Sequence, residues 1–244
     1  MHPILFTIGP LTLFTYGAML ALAFLVATGL ASRAARQLPS DLQAIAPQHI
    51  WDLTSAALLG GIIGGRLFYV GLHLEDFQHS PTEIFAIWRG GLVWYGGFLG
   101  GLVAALLYVR TKRLVFLRVC DQLIPFVALG HALGRIGCFL NGCCYGKRGI
   151  PTQLLESAGL LLLYVALRQL ARRTSLVHQP GRLLGVYLLG YALLRFAIEF
   201  LRGDQTPIWM GLTLQQLMSI AIVGVGLTLI VIHRRVPPPR PQQL

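Results

Sequence analysis

The chain has 244 residues, of which 55% are hydrophobic and only 12% are charged, and its mean hydropathy is +0.66. Soluble proteins carry about 25% charged residues, so this composition excludes an ordinary soluble protein and predicts a polytopic membrane protein. The formal net charge of +11 does not indicate a nucleic-acid partner, because most basic residues stand in short clusters between apolar runs.

Apolar segments predict an all-α fold, a transmembrane helical bundle of about seven spans. We interpret residues 1–235 as one transmembrane domain and the proline-rich residues 236–244 as a disordered cytoplasmic tail. The first ten residues lack a basic n-region, so no cleavable signal is expected. In chain order, the predicted spans cover residues 11–31, 53–72, 91–109, 121–140, 154–171, 183–202 and 211–232.

The charges of the connections predict the orientation of the bundle. Basic residues concentrate after the first, third, fifth and seventh spans, whereas the opposite connections hold fewer basic residues and four of the nine acidic ones. The positive-inside rule therefore places the N-terminus outside and the C-terminus in the cytoplasm. Doubled glycines four residues apart, at 60–65 and 96–101, predict close packing of the second and third spans.

Three arginines, Arg66, Arg135 and Arg195, lie inside predicted spans. A charge at the bilayer centre costs at least about 2.5–3.5 kcal/mol on insertion scales, so such residues usually mark a site. In the predicted orientation they share the outer-leaflet level with Tyr16 and Tyr95. The alternatives are structural ion pairs, arginines that extend to the membrane interface, and ordinary interfacial tyrosines.

The sixth span carries a polar stripe of Tyr191, Arg195, Glu199 and Arg202, spaced 4, 4 and 3 residues apart. These spacings put all four side chains on one face of a helix. We expect Glu199 to pair with Arg195 and to orient its guanidinium. Arg202, at the end of the span, is interpreted as a structural residue, in an ion pair or extending to the interface.

A glycine-rich segment from Gly134 to Gly146 ends the fourth span. Each glycine costs a helix roughly 1 kcal/mol relative to alanine, so we expect the helix to fray here into a tight turn. Exposed N–H groups and the side chain of Asn141, next to Arg135, would then hold an anionic group at the membrane edge.

Three cysteines fall within the same segment. A disulfide from Cys138 to Cys143 or Cys144 is the favoured interpretation on the outer side of a membrane. No metal is expected, because the C-x4-C-C spacing has no nearby pair of histidines. Cys120 is interpreted as a packing residue, and His131 either faces Arg135 or packs in the core.

With these residues, the chain resembles the prolipoprotein diacylglyceryl transferase family over nearly its whole length. The matching motifs are H-P-I-L-F-x-I-G-P at 2–10 with Y-G at 16–17, G-G-R at 64–66, G-G-L-x-x-Y-G-G at 90–97, G-R-x-G-x-F-x-N-G-x-x-x-G at 134–146, P-T-Q-L-x-E at 151–156 and G-Y-x-x-x-R-x-x-x-E-x-x-R at 190–202. No single short motif carries the resemblance.

The resemblance implies a bacterial plasma-membrane enzyme, with its site toward the outer leaflet, that needs no cofactor. It would move the diacylglyceryl group of phosphatidylglycerol to the lipobox cysteine of a prolipoprotein, forming a thioether and releasing glycerol phosphate. The resemblance implies catalytic roles for Arg195, Tyr95 and Arg135. The expected substrate-binding residues are Arg135, Arg66, Asn141, Gly146, Tyr16, Tyr191 and Glu199.

The chain departs from the family pattern at the expected base, where many members have histidine and this chain has Tyr95. Three routes to the thiolate stay open: a tyrosine activated by nearby arginines, a tyrosine that only donates a hydrogen bond, or proton transfer to His131. Two other functions also stay open. One is a divergent transferase with another lipid or acceptor, and the other is a transporter or flippase, which the absence of an inverted repeat disfavours.

Overall fold

The computed structural model describes residues 4–8, 11–39, 43–78, 80–87, 90–172 and 179–233. The predicted domain boundary at residue 235 and the predicted tail lie outside these ranges. The described helices are α1 (Thr15–Arg36), α2 (Pro47–Leu72), the single turn α3 (Leu74–Phe77), α4 (Trp94–Thr111), α5 (Phe116–Asn141), α6 (Thr152–Ala171), α7 (Arg182–Glu199) and α8 (Leu214–His233), with short 3-10 turns at Pro81–Phe85 and Lys147–Gly149.

The helical fold class predicted from the sequence is confirmed, with one local exception. Strand β1 (Ile4–Ile8) pairs antiparallel with β2 (Leu11–Phe14), and Thr7 lies opposite Thr12. The prediction that the first span starts at residue 11 is therefore wrong. The backbone groups of β2 are paired with those of β1, so α1 begins only at Thr15.

Five helices are long and apolar enough to cross a membrane, namely α1, α2, α5, α6 and the Leu214–Ile232 part of α8. They agree with the predicted membrane-protein class. Helices α4 and α7 have 18 residues each and are not among the five. The expected seven crossings and the orientation of the termini therefore stay predictions.

The chain divides into two compact units, one of residues 1–31 and 117–244 and the other of residues 32–116. In the first unit, α5, α6 and α7 share an apolar core that includes Ala128, Leu167 and Tyr187. Ser157 of α6 donates a hydrogen bond of 2.9 Å to the carbonyl of Ala132 in α5. Small residues therefore bring these helices close together, as membrane helices require.

Polar side chains occupy the interior of the first unit, and large apolar side chains cover its surface. Glu156 is 2% exposed, whereas Leu162 on the same helix is 73% exposed and Leu193 of α7 is 63% exposed. In a soluble protein, charged residues are almost never this buried. The arrangement suits a lipid solvent, in which an outward leucine has favourable surroundings and a carboxylate does not.

Close packing of the doubled glycines is confirmed in the second unit. A Cβ placed on Gly64 of α2 would lie 2.8 Å from the Cα of Gly100 in α4, and one placed on Gly60 would lie 2.7 Å from the Gly100 carbonyl oxygen. The two backbones therefore touch directly along this line, which only glycine permits.

The expected change from helix to turn within residues 134–146 occurs after Asn141, close to the predicted end of the span at residue 140, and the first glycines of the segment remain helical. A Cβ placed on Gly137 would lie 2.9 Å from the Cβ of Met19, so this glycine lets α1 approach α5 closely. The tertiary contact offsets the helix propensity that the glycine costs. The turn begins at Gly142, whose φ of 80° is the left-handed conformation common after a helix.

The glycine contact predicts a position-specific effect on stability. Gly64→Ala should lower the free energy of unfolding by about 1–3 kcal/mol, because the new methyl group meets the backbone of Gly100. Thermal unfolding in detergent, followed by circular dichroism, measures this. Gly71→Ala is the matched control on the same helix, because its Cβ would meet no atom within 4 Å. Equal destabilisation by both substitutions would contradict the packing role of Gly64.

Candidate functional site

One buried carboxylate, Glu156 of α6, binds arginines from two other helices. Its Oε1 accepts a hydrogen bond of 2.7 Å from Nη2 of Arg135 in α5, and its Oε2 accepts one of 3.4 Å from Nη1 of Arg195 in α7. The three side chains are between 2% and 14% exposed. Glu156 therefore joins α5, α6 and α7 through charge-assisted hydrogen bonds.

Glu199 completes this network, and its predicted pairing with Arg195 is confirmed. Nη2 of Arg195 lies 2.8 Å from Oε2 of Glu199, one helical turn further along α7. The other oxygen of Glu199 accepts a hydrogen bond of 2.8 Å from the Thr213 hydroxyl. Two carboxylates thus hold the Arg195 guanidinium from two sides and fix its orientation.

Thr213 and Gln216 form a reciprocal cap at the start of α8. The backbone N–H of Thr213 donates to Oε1 of Gln216 at 3.0 Å, and the N–H of Gln216 donates to the Thr213 hydroxyl at 3.4 Å. This is the capping-box arrangement of a T-x-x-Q sequence. The sequence interpretation missed it, although the pattern stands in the sequence directly before an apolar run.

No role is assigned to Glu156 from the sequence, although it is the last residue of the P-T-Q-L-x-E motif, near the start of an apolar span. Its importance follows from the two arginines that it binds. Nε of Arg135 is buried and has no hydrogen-bond partner among the described residues. Buried donors are nearly always satisfied, so Arg135 presents a donor available to a bound group.

Arg202 is buried and paired with a carboxylate, which agrees with the structural ion pair expected for it, and its extension to a membrane interface stays a prediction. Its Nε and Nη2 donate to the two oxygens of Asp204 at 2.8 and 2.6 Å. These hydrogen bonds from Arg202 hold the pKa of Asp204 below its usual value. The backbone turn after α7 makes the pairing possible, because it brings Asp204 back to Arg202.

The turn after α5 does not expose the amide groups that the sequence predicted. The N–H groups of Gly142 and Cys143 donate to the Cys138 carbonyl, at 3.1 and 3.2 Å. The N–H of Gly146 donates to the Ile150 carbonyl at 3.0 Å. Closing the helix end in this way satisfies its last carbonyl groups, so these three amides do not form an anion site.

Gly146 instead permits a close backbone approach. A Cβ placed on it would lie 2.6 Å from the Ile150 carbonyl oxygen and 2.9 Å from that of Leu201. Gly146 also forms an antiparallel bridge with Arg202. Asn141, the last residue of α5, is half-buried. The roles of Gly146 and Asn141 in substrate binding stay predictions.

All four cysteines are free thiols, so the disulfide favoured by the sequence is not formed in the structure. The sulfur atoms of Cys138, Cys143 and Cys144 nevertheless all lie within 4.8 Å of one another. Hydrogen bonding with Cys138 and the positive charge of Arg202 lower the pKa of the Cys144 thiol from its ordinary value. The three thiols thus form a cluster, which we call the thiol cluster.

Aromatic rings surround the arginine network in the first unit. Tyr191 of α7 lies near Arg135, and its ring centroid lies 4.9 Å from that of His131. His131 therefore contacts the network through Tyr191. The ring of Tyr16, at the start of α1, lies against Gly137, where a Cβ would be 3.5 Å from its Cδ2.

Arg66 belongs to the second unit, and its guanidinium is occupied by backbone carbonyl groups. Its Nε donates to Ile84 at 2.8 Å, its Nη2 to Glu83 at 2.6 Å and its Nη1 to Gly90 at 2.8 Å and Gly91 at 3.2 Å. These contacts favour a role in fastening the segment that precedes α4. A role in lipid binding stays a prediction.

Tyr95 is the second residue of α4 and is exposed. Its ring stands edge-on to that of Trp94, with centroids 5.3 Å apart. Within the described ranges no hydrogen bond to its hydroxyl is found, so the phenol is available as a donor. Its catalytic role stays a prediction.

Comparison with known proteins shows that the chain is similar to prolipoprotein diacylglyceryl transferases. A family model described as prolipoprotein diacylglyceryl transferase matches residues 3–232. The chain is 32% identical to a phosphatidylglycerol–prolipoprotein diacylglyceryl transferase of Clostridium tetani, over 96% of this chain and 98% of that protein. It is 35% identical to the protein of the same name from Aromatoleum aromaticum, over 96% of each chain. The apolar helices agree with a multi-pass membrane protein.

The shared carboxylate predicts a large loss of stability in Glu156→Gln. The substitution removes the negative charge that Arg135 and Arg195 share, and breaking a buried ion pair costs about 3–5 kcal/mol. Thermal unfolding in detergent measures the loss. Glu75→Gln, at an exposed position of α3, is the control and should unfold like the unmodified protein. Equal stability of the two variants would contradict the bridging role of Glu156.

Proposed function

The chain belongs to the prolipoprotein diacylglyceryl transferase family, and we propose that it transfers the diacylglyceryl group of phosphatidylglycerol to the lipobox cysteine of prolipoproteins. The products are a thioether-linked lipoprotein precursor and glycerol phosphate. Within the structure, the observation that carries this proposal is the buried arginine network, in which Arg135 keeps a donor without a partner.

The proposed setting is the bacterial inner membrane, with seven crossings and the site facing the outer leaflet. The five long apolar helices support the membrane setting, and α4 and α7 would supply the other two crossings. The alternation of basic and acidic connections supports an outer N-terminus and a cytoplasmic C-terminus. The prolipoprotein would present its lipobox cysteine from the outer side.

Arg135 is the proposed binding residue for the phosphate of phosphatidylglycerol. Glu156 holds its guanidinium through Nη2, and the buried Nε remains unpaired among the described residues. A guanidinium fork suits a phosphate oxygen in geometry and charge. Because Arg135 is already held in place, it would lose little side-chain entropy when the lipid binds.

Arg195 is the proposed stabiliser of the leaving group. Glu156 and Glu199 fix its orientation before the substrate arrives, so no reorganisation is needed during the reaction. Negative charge develops on the phosphate oxygen as its bond to the glycerol carbon breaks. A preorganised cation aimed at this charge lowers the barrier more than it strengthens ground-state binding.

Tyr95 is proposed to donate a hydrogen bond to the substrate and not to act as the base. A phenol is a weak base at neutral pH, and its O–H is a good donor to a phosphate oxygen. The exposure of Tyr95 supports this assignment, because the hydroxyl needs no rearrangement to reach a lipid headgroup. Positive charge near the lipobox thiol would favour its ionised form.

The proposed function is tested by complementation of a bacterium depleted of its own transferase, with mass spectrometry of a reporter lipoprotein. The expected result is growth and a reporter that carries a diacylglyceryl group on its lipobox cysteine. A different lipid adduct would indicate a divergent transferase instead. An unmodified reporter would instead indicate a flippase, if liposomes that contain this protein move lipid between their two leaflets and liposomes without it do not.

The unpaired Nε donor of Arg135 predicts that replacing this residue lowers activity toward phosphatidylglycerol. Arg135→Ala should lower kcat/KM for phosphatidylglycerol by about 10- to 100-fold, because a charge-assisted hydrogen bond is lost. Arg135→Lys should recover little, because lysine lacks the planar fork. The assay uses liposomes that contain phosphatidylglycerol and a lipobox peptide. Arg110→Ala, an exposed position near the end of α4, is the control and should retain activity. Unchanged kcat/KM in Arg135→Ala would contradict the proposed contact.

If Tyr95 only donates a hydrogen bond, removing its hydroxyl should cause a moderate loss of activity that does not depend on pH. Tyr95→Phe should lower activity by about 2- to 10-fold, the effect of one neutral hydrogen bond, and raising the pH should not restore it. His131→Ala should be tolerated, because the proposed ionisation of the thiol does not use His131 as the proton acceptor. A fully active Tyr95→Phe together with an inactive His131→Ala would instead assign the proton transfer to His131.

A further inference from the structure

The thiol cluster lies where α5 ends, beside the arginine network. Cys138 is in the last turn of α5, and Cys143 and Cys144 follow in the turn after it. Their sulfur atoms all lie within 4.8 Å of one another. In a tetrahedral zinc site with bonds of about 2.3 Å, the sulfur atoms stand roughly 3.8 Å apart. A small inward movement of the side chains would therefore close a site around one ion.

The backbone of the cluster is held by contacts from the start of α6. Nε2 of Gln153 donates to the Cys143 carbonyl at 2.5 Å, and the Thr152 hydroxyl donates to the Cys144 carbonyl at 2.9 Å. Cys144 has a left-handed φ of 61°, which is unfavourable for a residue with a Cβ. The fold thus keeps a strained residue in a position where its sulfur joins the other two.

Three converging thiols fit a metal ion better than they fit a disulfide. A disulfide would use two sulfurs and leave the third unpaired, and none is formed in the structure. All three cysteines are only half-buried, so they are not simply packed in an apolar core. Zinc favours thiolate ligands, and three protein ligands with one open position is its arrangement at reactive centres.

We propose that Cys138, Cys143 and Cys144 bind one Zn²⁺ ion, whose fourth position takes the lipobox cysteine thiol of the prolipoprotein. The proposal rests on the proposed function and adds direct activation of the thiol to the effect of nearby positive charge. It also replaces the metal-free interpretation of the sequence, which considered only histidine pairs and C-x-x-C spacing.

The reaction step on this ion balances without an oxidant or a reductant. Coordination of the lipobox thiol releases its proton to solvent, because a thiol bound to Zn²⁺ is deprotonated. A sulfur electron pair then forms the S–C bond to the glycerol carbon that carries the phosphate ester. The C–O bond at that carbon breaks, and glycerol phosphate leaves with its electron pair. The zinc ion keeps its charge and is released from the thioether, which is a weaker ligand than the thiolate.

The charges around the cluster suit this assignment. One Zn²⁺ ion and three thiolates carry a net negative charge. Arg135 precedes Cys138 by three residues on α5, so both side chains lie on one helix face. Arg202 pairs through its backbone with Gly146, two residues after Cys144. Two arginines therefore lie close to the cluster, although each is also paired with a carboxylate, and a phosphate bound by Arg135 would stand next to the activated sulfur.

Metal content tests the site without relying on activity. The full-length protein is purified in detergent under reducing conditions without chelator. Inductively coupled plasma mass spectrometry should then find about one zinc ion per chain. Cys138→Ser, Cys143→Ser and Cys144→Ser should each lose most of it. Cys120→Ser, which changes the cysteine in the first part of α5, is the matched control and should retain it. Zinc retained in all three cluster variants would overturn the proposal.

Cobalt spectroscopy tests the open position. Co²⁺ exchanged into the unmodified protein should give the visible d–d bands of a tetrahedral thiolate site. A lipobox peptide should shift these bands, and the same peptide with serine for cysteine should not. A protein with four titratable thiols that takes up neither Zn²⁺ nor Co²⁺ would overturn the proposal. Identical spectra with both peptides would overturn the coordination of the substrate thiol.

The outcomes separate this inference from the proposed function. Diacylglyceryl transfer by protein shown to be free of metal would overturn the zinc site and leave the transferase function standing. Stoichiometric zinc with the expected cobalt response, but no lipid on the reporter in the complementation test, would support the metal site. It would at the same time contradict the proposed transfer.

Discussion

The sharing of one buried carboxylate by two arginines is the interaction on which the first unit depends. Glu156 binds Arg135 and Arg195 with its two oxygens, and the three residues come from three helices. Buried charges are tolerated only when they are paired and hydrogen-bonded, so α5, α6 and α7 must dock in one register. Close contacts between these helices, such as Ser157 with the Ala132 carbonyl, make that register attainable.

The same pairing prepares the site for chemistry. Arg195 is fully held by two carboxylates, whereas Arg135 is held on one side and keeps a buried donor without a partner. A site that binds an anionic lipid needs both properties, since one cation must be rigid and one must have a free donor. The turn after α5 then brings Cys143 and Cys144 to Cys138, which lies one helical turn after Arg135. Phosphate binding and sulfur chemistry can therefore meet at one helix end.

Arg66 shows that the fold itself can occupy the donors of an arginine in an apolar span. Each of its nitrogens donates to backbone carbonyl groups between Glu83 and Gly91. Arg66 and Arg135 are indistinguishable by residue type, hydropathy of the span and expected depth. They differ in how many of their donors the fold already occupies, and this is a property of the tertiary structure alone.

The sequence by itself determined the helical membrane class, the close glycine packing of α2 and α4 and the Arg195–Glu199 pair. These features depend on composition or on contacts between residues a fixed number of positions apart, which local spacing encodes. Only the tertiary structure decided that Glu156 bridges two arginines, that Arg202 is buried on Asp204 and that three thiols meet without a disulfide. It also decided that α5 continues through Gly137, because Met19 of α1 occupies the space of the missing side chain. Such contacts join residues far apart in the chain or across a turn, and their geometry is set by how the helices pack.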